Sequence, residues 1–507
     1  MSSLLNAAVG RPRASVPELW EARVEQAPDR PFLCHEGRTW SYAEAWAQIG
    51  GFAAMLAEHG AGPQSRVATF LSNRPESLWG WFGAQLAGAV HVGLNREHRG
   101  DILADMLARS GAGVLLTERA ALADLPQDVA QRVLVAEDLD VAPSAPAPGA
   151  GRRAAAPADL AAVLYTSGTT GRSKAVLICH NHLARGGARF AESIDQRADD
   201  RWHAWMPMSH IFGQLHVTMA TLAAGGSIAL YPRFSVRGFW EQINESGCTI
   251  AGGLGNMLRM LWHADDREAN AENPLRVGLF ATPPPELREP FRAHFRIELV
   301  DSYGMTEAEP VTIPVKDMPP TSCGVENPDF ELALLDDDGH RVPDGEIGHM
   351  AIRPREPDVM FRGYEHDEAA TVQAWRDLWF HTGDAGRRDA AGFYYLVDRR
   401  KHVIRTRGEN VSPSELEALI RAHPGVRDCG AVGVASDGVD DDVKIVVVLE
   451  DGAALAAAEL HGWCSERMAA FMVPRHIEVR AQLPYSTLGK IDREALRERE
   501  STVWAAS

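Results

Sequence analysis

Apolar and polar positions alternate between two periods along the first part of the chain. Residues 41–59 carry apolar side chains at helical spacing, and Ser41 with Glu44 three positions later forms the capping-box pattern that opens a helix. A short apolar run follows at 66–71, a helix-like stretch at 76–87 and a second apolar run at 89–94. Residues 101–110 and 113–117 repeat the helix-like and strand-like theme. This alternation predicts an α/β architecture, because strands separated by helices form sheets with the helices packed on their faces. Residues 141–159, rich in Ala, Pro and Gly, break the rhythm and predict a surface loop. From 331 to 395 the pattern is strand-rich, with turn signals at Asp338-Gly339, Asp344-Gly345 and Ala391-Gly392. Beyond a charged link at 398–402, helix-like runs (414–422, 454–468) alternate with strand-like ones (426–434, 443–449). The expected organisation is a large domain over 1–397, the link at 398–402 and a small α+β domain over 403–507.

Composition narrows the class. The 507 residues suffice for about three to five folding units. With 45% hydrophobic and 24% charged residues the chain has a globular balance, which excludes global disorder and collagen-like structure. No apolar run approaches the roughly 20 residues of a spanning helix, and the first 20 residues carry no secretory apolar segment. Six cysteines without a CxxC read as free thiols, so a cytoplasmic location is expected. The 51 basic and 69 acidic residues give a net charge of −18, unfavourable for general nucleic-acid binding.

The most informative segment begins where an apolar strand at 161–165 runs into Thr166-Ser167-Gly168-Thr169-Thr170-Gly171-Arg172-Ser173-Lys174. The glycines let successive N–H groups turn into one concavity, the hydroxyls add donors and Lys174 adds a positive charge. Such a nest suits a polyphosphate; as a bare Ser/Thr/Gly loop it is also compatible with a polar turn. The spacing is not that of the GxxxxGK[ST] loop. Residues 165–174 resemble the signature of the acyl-adenylate-forming superfamily, which comprises acyl- and aryl-CoA synthetases, peptide-synthetase adenylation domains and luciferases. Ser173 and Ala175 stand where that signature has Pro and Gly.

Further motifs follow in the family's order. Residues 301–307 resemble its YGxTE segment; by resemblance Tyr303 stacks on adenine, Asp301 bonds the adenine amino group, Thr306 holds the α-phosphate and Glu307 ligates Mg²⁺. Asp384, in His381-Thr382-Gly383-Asp384, and Arg399 match the two ribose contacts, and Lys401 the hinge position, with His402 in place of the usual Asp. Residues 407–413 are similar to the GGENVSP segment, with Arg407 for the first Gly. Lys490, closing Leu483-Pro484-Tyr485-Ser486-Thr487-Leu488-Gly489-Lys490, matches the adenylation lysine. The match spans roughly 20–497. Residues 280–285 lack the glycines of the family's SGGAPL segment, a departure shared with the crotonobetaine/carnitine-CoA ligase type, which residues 206–212 and 361–410 also resemble.

The resemblance implies two α/β sheets with a small β-barrel, then a small mobile C-terminal domain. It implies an enzyme that uses ATP and Mg²⁺ to adenylate an acid and then passes the acyl group to CoA; a homodimer is among the expected assemblies. His210 would stand at the mouth of the acid pocket, with Phe212, Gly253, Gly255, Ala281 and Thr282 around it. Bulky Trp205, Phe212 and Trp262 point to a small or aryl acid. Activation of nitrite by a diazotase, for attack by an aryl amine, is a second reading, and a non-catalytic nucleotide binder is a third. Cys179-His180-Asn181-His182 has metal-ligand spacing but lacks a second ligand pair, so a structural role is expected, as for His203 and His216.

Overall fold

The computed structural model describes residues 3–166, 173–264, 267–399, 404–406, 409–411, 413–435, 441–468, 472–485, 491–498 and 503–505. Compactness divides the chain into two units, residues 1–331 with 353–378 and residues 332–352 with 379–507.

The first unit contains two sheets. One has six strands in the order Arg132–Val135, Val114–Thr117, Arg66–Phe70, Val90–Gly93, Leu160–Thr166 and Lys174–Cys179. All neighbours are parallel except the last pair, an antiparallel hairpin that brings Thr166 opposite Lys174. The other sheet has seven strands in the order Glu298–Val300, Val277–Ala281, Ile250–Leu254, Arg201–Ala204, Ser227–Leu230, Pro31–His35 and Arg38–Ser41. The interior strands Val90–Gly93, Val114–Thr117 and Ser227–Leu230 are short and buried along their whole length.

The expected α/β rhythm is present with small changes of boundary. The helix read at 41–59 is Tyr42–Glu58, and both arms of its capping box form: Ser41 Oγ accepts from the Glu44 N–H at 3.2 Å, and Glu44 Oε2 from the Ser41 N–H at 2.7 Å. The Ala/Pro/Gly-rich stretch is a surface segment, but it is docked. The Ser144 N–H donates to the Ala47 carbonyl at 2.9 Å, and side chains at Gly50 and Gly51 would collide with the Ser144 and Ala142 carbonyls. Two glycines inside a helix are unfavourable by about 1 kcal/mol each, a cost offset here by the close approach they permit.

In the second unit, Gly348–Pro354 pairs with Trp379–Arg388, which pairs with Tyr394–Arg399, both antiparallel. Gly339, Gly345 and Gly392, at the three predicted turns, all adopt positive φ. A four-stranded sheet follows in the order Val426–Ala435, Asp441–Leu449, His476–Val479 and Val503–Ala505, with helices Pro413–Arg421 and Ala457–Arg467. Lys444 and Glu478 pair at 2.8 Å in its interior. The ammonium also donates to the Leu496 carbonyl at 2.8 Å, so the buried charge is both paired and hydrogen-bonded.

Candidate active site

The hairpin of the six-stranded sheet sets the base of the site. Thr166 and Lys174 face each other across its mouth, and Ser167, Gly168, Thr169, Thr170 and Gly171 lie outside the described residues. The far edge of Lys174–Cys179 is covered by a returning segment. The Leu177 N–H donates to the Gly363 carbonyl at 3.0 Å, Arg362 to Leu177 at 2.8 Å and Glu365 to Ala175 at 2.8 Å. Glu365 is anchored by an ion pair with Arg66. This pairing places the Tyr364 ring under Lys174, whose Nζ lies 4.4 Å from the ring centroid. The Tyr364 hydroxyl donates to Glu307 Oε1 at 2.6 Å. Burial and the Glu307 carboxylate raise the phenol's pKa well above its ordinary value, so Tyr364 is a neutral donor.

Glu307 belongs to the turn that follows strand Glu298–Val300. Met305 and Ala308 exchange backbone hydrogen bonds at 2.9 Å, and the Tyr303 carbonyl accepts from the N–H groups of Val311 and Thr312, each at 2.9 Å. Tyr303, Thr306 and Glu307 are all buried. A side chain at Gly304 would overlap the Glu309 carboxylate, which would have to move to admit it. Glu307 offers hard oxygen donors of the kind Mg²⁺ takes, with the Thr306 hydroxyl adjacent, so the donor set fits the expected ion.

Asp301 accepts from the Ser302 N–H at 3.0 Å and the Thr282 N–H at 3.3 Å. Burial pushes its carboxyl up to about 7, against the opposing effects of Arg288 and the two N–H groups. Ala281 and Thr282 are exposed beside it, and Thr282 holds a positive φ of 54°.

Of the expected acid-pocket residues, Phe212, Gly253, Gly255, Ala281 and Thr282 come together around two paired strands. Strand Ile250–Leu254 pairs in parallel with Val277–Ala281, setting Gly253 beside Phe280 and Leu254 beside Ala281. Trp205 Nε1 donates to the Gly252 carbonyl at 2.9 Å. A Cβ at Gly253 would lie 3.0 Å from both Trp205 Cζ2 and Met257 Sδ, and one at Gly252 would lie 2.8 Å from Phe212 Cζ. At Gly255 a side chain would overlap the Thr282 carbonyl oxygen. Phe212 opens a π-helix, Phe212–Met219. Exposed His210 caps it, Nδ1 accepting from the Phe212 N–H at 3.1 Å, which leaves Nε2 as the protonated nitrogen of the neutral ring.

Trp262 departs from expectation. It packs against Phe291 and Phe295, with ring centroids 5.7 and 6.2 Å away, rather than beside Phe212. His203, His180 and His182 are buried. His203 Nε2 lies 2.8 Å from Gln242 Oε1, and His180 Nδ1 accepts from the Val16 N–H at 3.3 Å. Burial pushes His203 and His180 down to about 4, and His182 to about 3. His216 is buried between Phe190 and Phe212, with Nε2 3.2 Å from Glu309.

In the second unit, Asp384 and Arg399 are register partners on adjacent antiparallel strands. The Asp384 N–H donates to Thr382 Oγ1 at 3.1 Å, and Gly383 holds a positive φ where strand Trp379–Arg388 bulges against Gly348–Pro354. Lys401 and Lys490 lie outside the described residues; Tyr485 and Ile491, which flank the 486–490 segment, form a bridge. The residue that sequence reasoning missed is Tyr364. Its signal was slight, an aromatic pair, Phe361 and Tyr364, around a glycine. Asn73 also bears on this region: its Nδ2 donates to the Trp205 carbonyl at 2.8 Å and the Met206 carbonyl at 3.0 Å, holding that backbone.

Residues 20–365 match the family described as AMP-binding enzyme, and residues 415–490 match the AMP-binding enzyme C-terminal domain. A crotonobetaine/carnitine–CoA ligase of Salmonella paratyphi A is 32% identical over 95% of this chain and 98% of its own. Among solved structures, ATP-bound MatB from Rhodopseudomonas palustris superposes with a TM-score of 0.83 at 25% identity, covering 95% of this chain and 98% of its own. The o-succinylbenzoate CoA synthetase of Bacillus subtilis, in complex with its acyl-adenylate intermediate, gives 0.80 at 25% identity with the same coverage of each chain.

Proposed function

The chain belongs to the AMP-binding enzyme family over most of its length, and from that premise we propose that it is an AMP-forming acid–CoA ligase acting on a small or aryl carboxylic acid. The observation that carries the reading is the meeting of Lys174 and Glu307 on Tyr364, which sets a cation and a hard carboxylate at one hairpin mouth.

In the first step a carboxylate oxygen of the acid attacks the α-phosphorus of ATP. An O–P bond forms and pyrophosphate leaves. Two anions approach each other, so the step depends on fixed positive charge. Lys174 and the 167–171 nest would hold the β- and γ-phosphates, Thr306 the α-phosphate and Lys490 the developing charge. Asp301 and Tyr303 would receive adenine, and Asp384 with Arg399 the ribose. Glu307 would hold Mg²⁺, which when bound neutralises phosphate charge. In the second step the CoA thiol attacks the acyl carbon, a thioester forms and AMP leaves; residues 403–507 would move about Lys401 to change the face presented. The aromatic walls Trp205 and Phe212, with Met257, favour a compact or flat acid over a long acyl chain. His210 would sit at the pocket mouth.

Pyrophosphate release from ATP and Mg²⁺ tests this, with short and aryl acids compared against nitrite, each with and without CoA. Release driven by a carboxylic acid and accelerated by CoA is the expected result. Release driven by nitrite alone would replace the ligase with the diazotase, which nothing in the relatives supports.

A further inference from the structure

We propose that Tyr364 is a positioning residue of the adenylation site, with separate duties for its ring and its hydroxyl. The inference rests on the reading of Lys174 as a phosphate-binding lysine and Glu307 as the metal carboxylate.

The ring carries the first duty. Lys174 Nζ rests 4.4 Å from its centroid, a cation–π distance. An ammonium held on a ring face keeps more of its charge for an incoming phosphate than one locked in an ion pair with a carboxylate. The hydroxyl carries the second. At 2.6 Å it donates to Glu307 Oε1, which fixes the plane of a carboxylate expected to meet a cation. Partners of this outer kind typically change metal affinity by about 10–100-fold when removed. A residue that only filled space would need neither a phenol nor this placement. The three backbone hydrogen bonds that tie residues 362–365 to Lys174–Cys179 keep the ring from drifting, and the Phe361 N–H donates to the Glu307 carbonyl at 2.7 Å, closing the contact from the other side. One tyrosine therefore sets the separation between a cation and an anion that must act on the same polyphosphate without neutralising each other.

The two duties separate in two substitutions of the full-length protein. ATP binding is measured by calorimetry without any acid, first in EDTA and then across a Mg²⁺ series, alongside thermal melting. Tyr364→Phe keeps the ring and is expected to retain wild-type ATP affinity in EDTA, while its Mg²⁺ midpoint moves up by about tenfold or more. Tyr364→Leu is expected to show the same Mg²⁺ shift and, in addition, a several-fold loss of ATP affinity in EDTA. A wild-type Mg²⁺ midpoint in Tyr364→Phe, or wild-type EDTA affinity in Tyr364→Leu, would overturn the inference. So would equal losses in both readouts of Tyr364→Phe with a lowered melting temperature, since that is the behaviour of packing alone. Should Tyr364→Leu not fold, the Phe variant decides. Wild-type protein that binds no ATP under any condition would instead defeat the functional reading beneath the proposal.

Discussion

At the scale of single residues, the environment of a side chain sets its chemistry. Asp301 illustrates this: burial moves its carboxyl from 3.8 to about 7, so at neutral pH it is partly protonated. The folded pKa is raised. Between about 4 and 7 the folded chain therefore binds more protons than the unfolded one, and stability falls as pH rises through that window. At 1.36 kcal/mol per pH unit the displacement corresponds to at most about 4 kcal/mol. Asp301→Asn should accordingly gain melting temperature on the wild type between pH 4 and 7 and hold the gain above. A constant difference across that range would exclude Asp301 as the cause. For Lys490 the expectation concerns rate. Replacement by Ala should lower acid-dependent pyrophosphate release by about 10²–10³-fold, the usual effect of losing a group that meets transition-state charge, and should leave ATP binding intact. Normal release from that variant would remove the assignment.

Elements decide which side chains can meet. The parallel pairing of Ile250–Leu254 with Val277–Ala281 aligns two glycine-bearing strands, and the missing side chains admit Phe212 and Trp205 against the sheet. Alanine at 253 would press on Met257 and on two rings that can yield, so Gly253→Ala is expected to raise KM for the acid and spare KM for ATP. Alanine at 255 would press on the backbone oxygen of Thr282, which cannot yield cheaply. Gly255→Ala should therefore destabilise the protein by about 1–3 kcal/mol, read as a shift in denaturation midpoint. Equal behaviour of the two variants would show that the pocket wall is not built on this register.

On the scale of the whole molecule, the two half-reactions place different demands on the chain. Under the proposed function, adenylation would draw on the groups carried by residues 1–399 together with Lys490, and transfer on residues 403–507 presenting another face. Lys401→Pro should leave pyrophosphate release near its normal rate and slow thioester formation, followed in the same sample by CoA thiol consumption. Equal loss in both steps would count against a hinge at 401. No helix among the described residues is long and apolar enough to cross a membrane.

The sequence by itself determined much of this. Helix and strand periods, the Ser41 capping box and the Gly turns are written in local order, because each depends on a few adjacent residues. The phosphate-loop, YGxTE-like and LPxTxxGK-like segments were legible from their resemblance to the family's motifs in the family's order; residues 167–172 and 486–490 lie outside the described residues. Tertiary structure alone decided what depends on distant segments meeting. Trp262 faces Phe291 rather than Phe212 because helix rotation and packing, not proximity in sequence, set its direction. Tyr364 reaches Lys174 and Glu307, 190 and 57 positions away in the chain, only because an edge segment pairs with the phosphate hairpin. A long-range hydrogen bond leaves no period in the sequence, and that is why this residue became visible only in the fold.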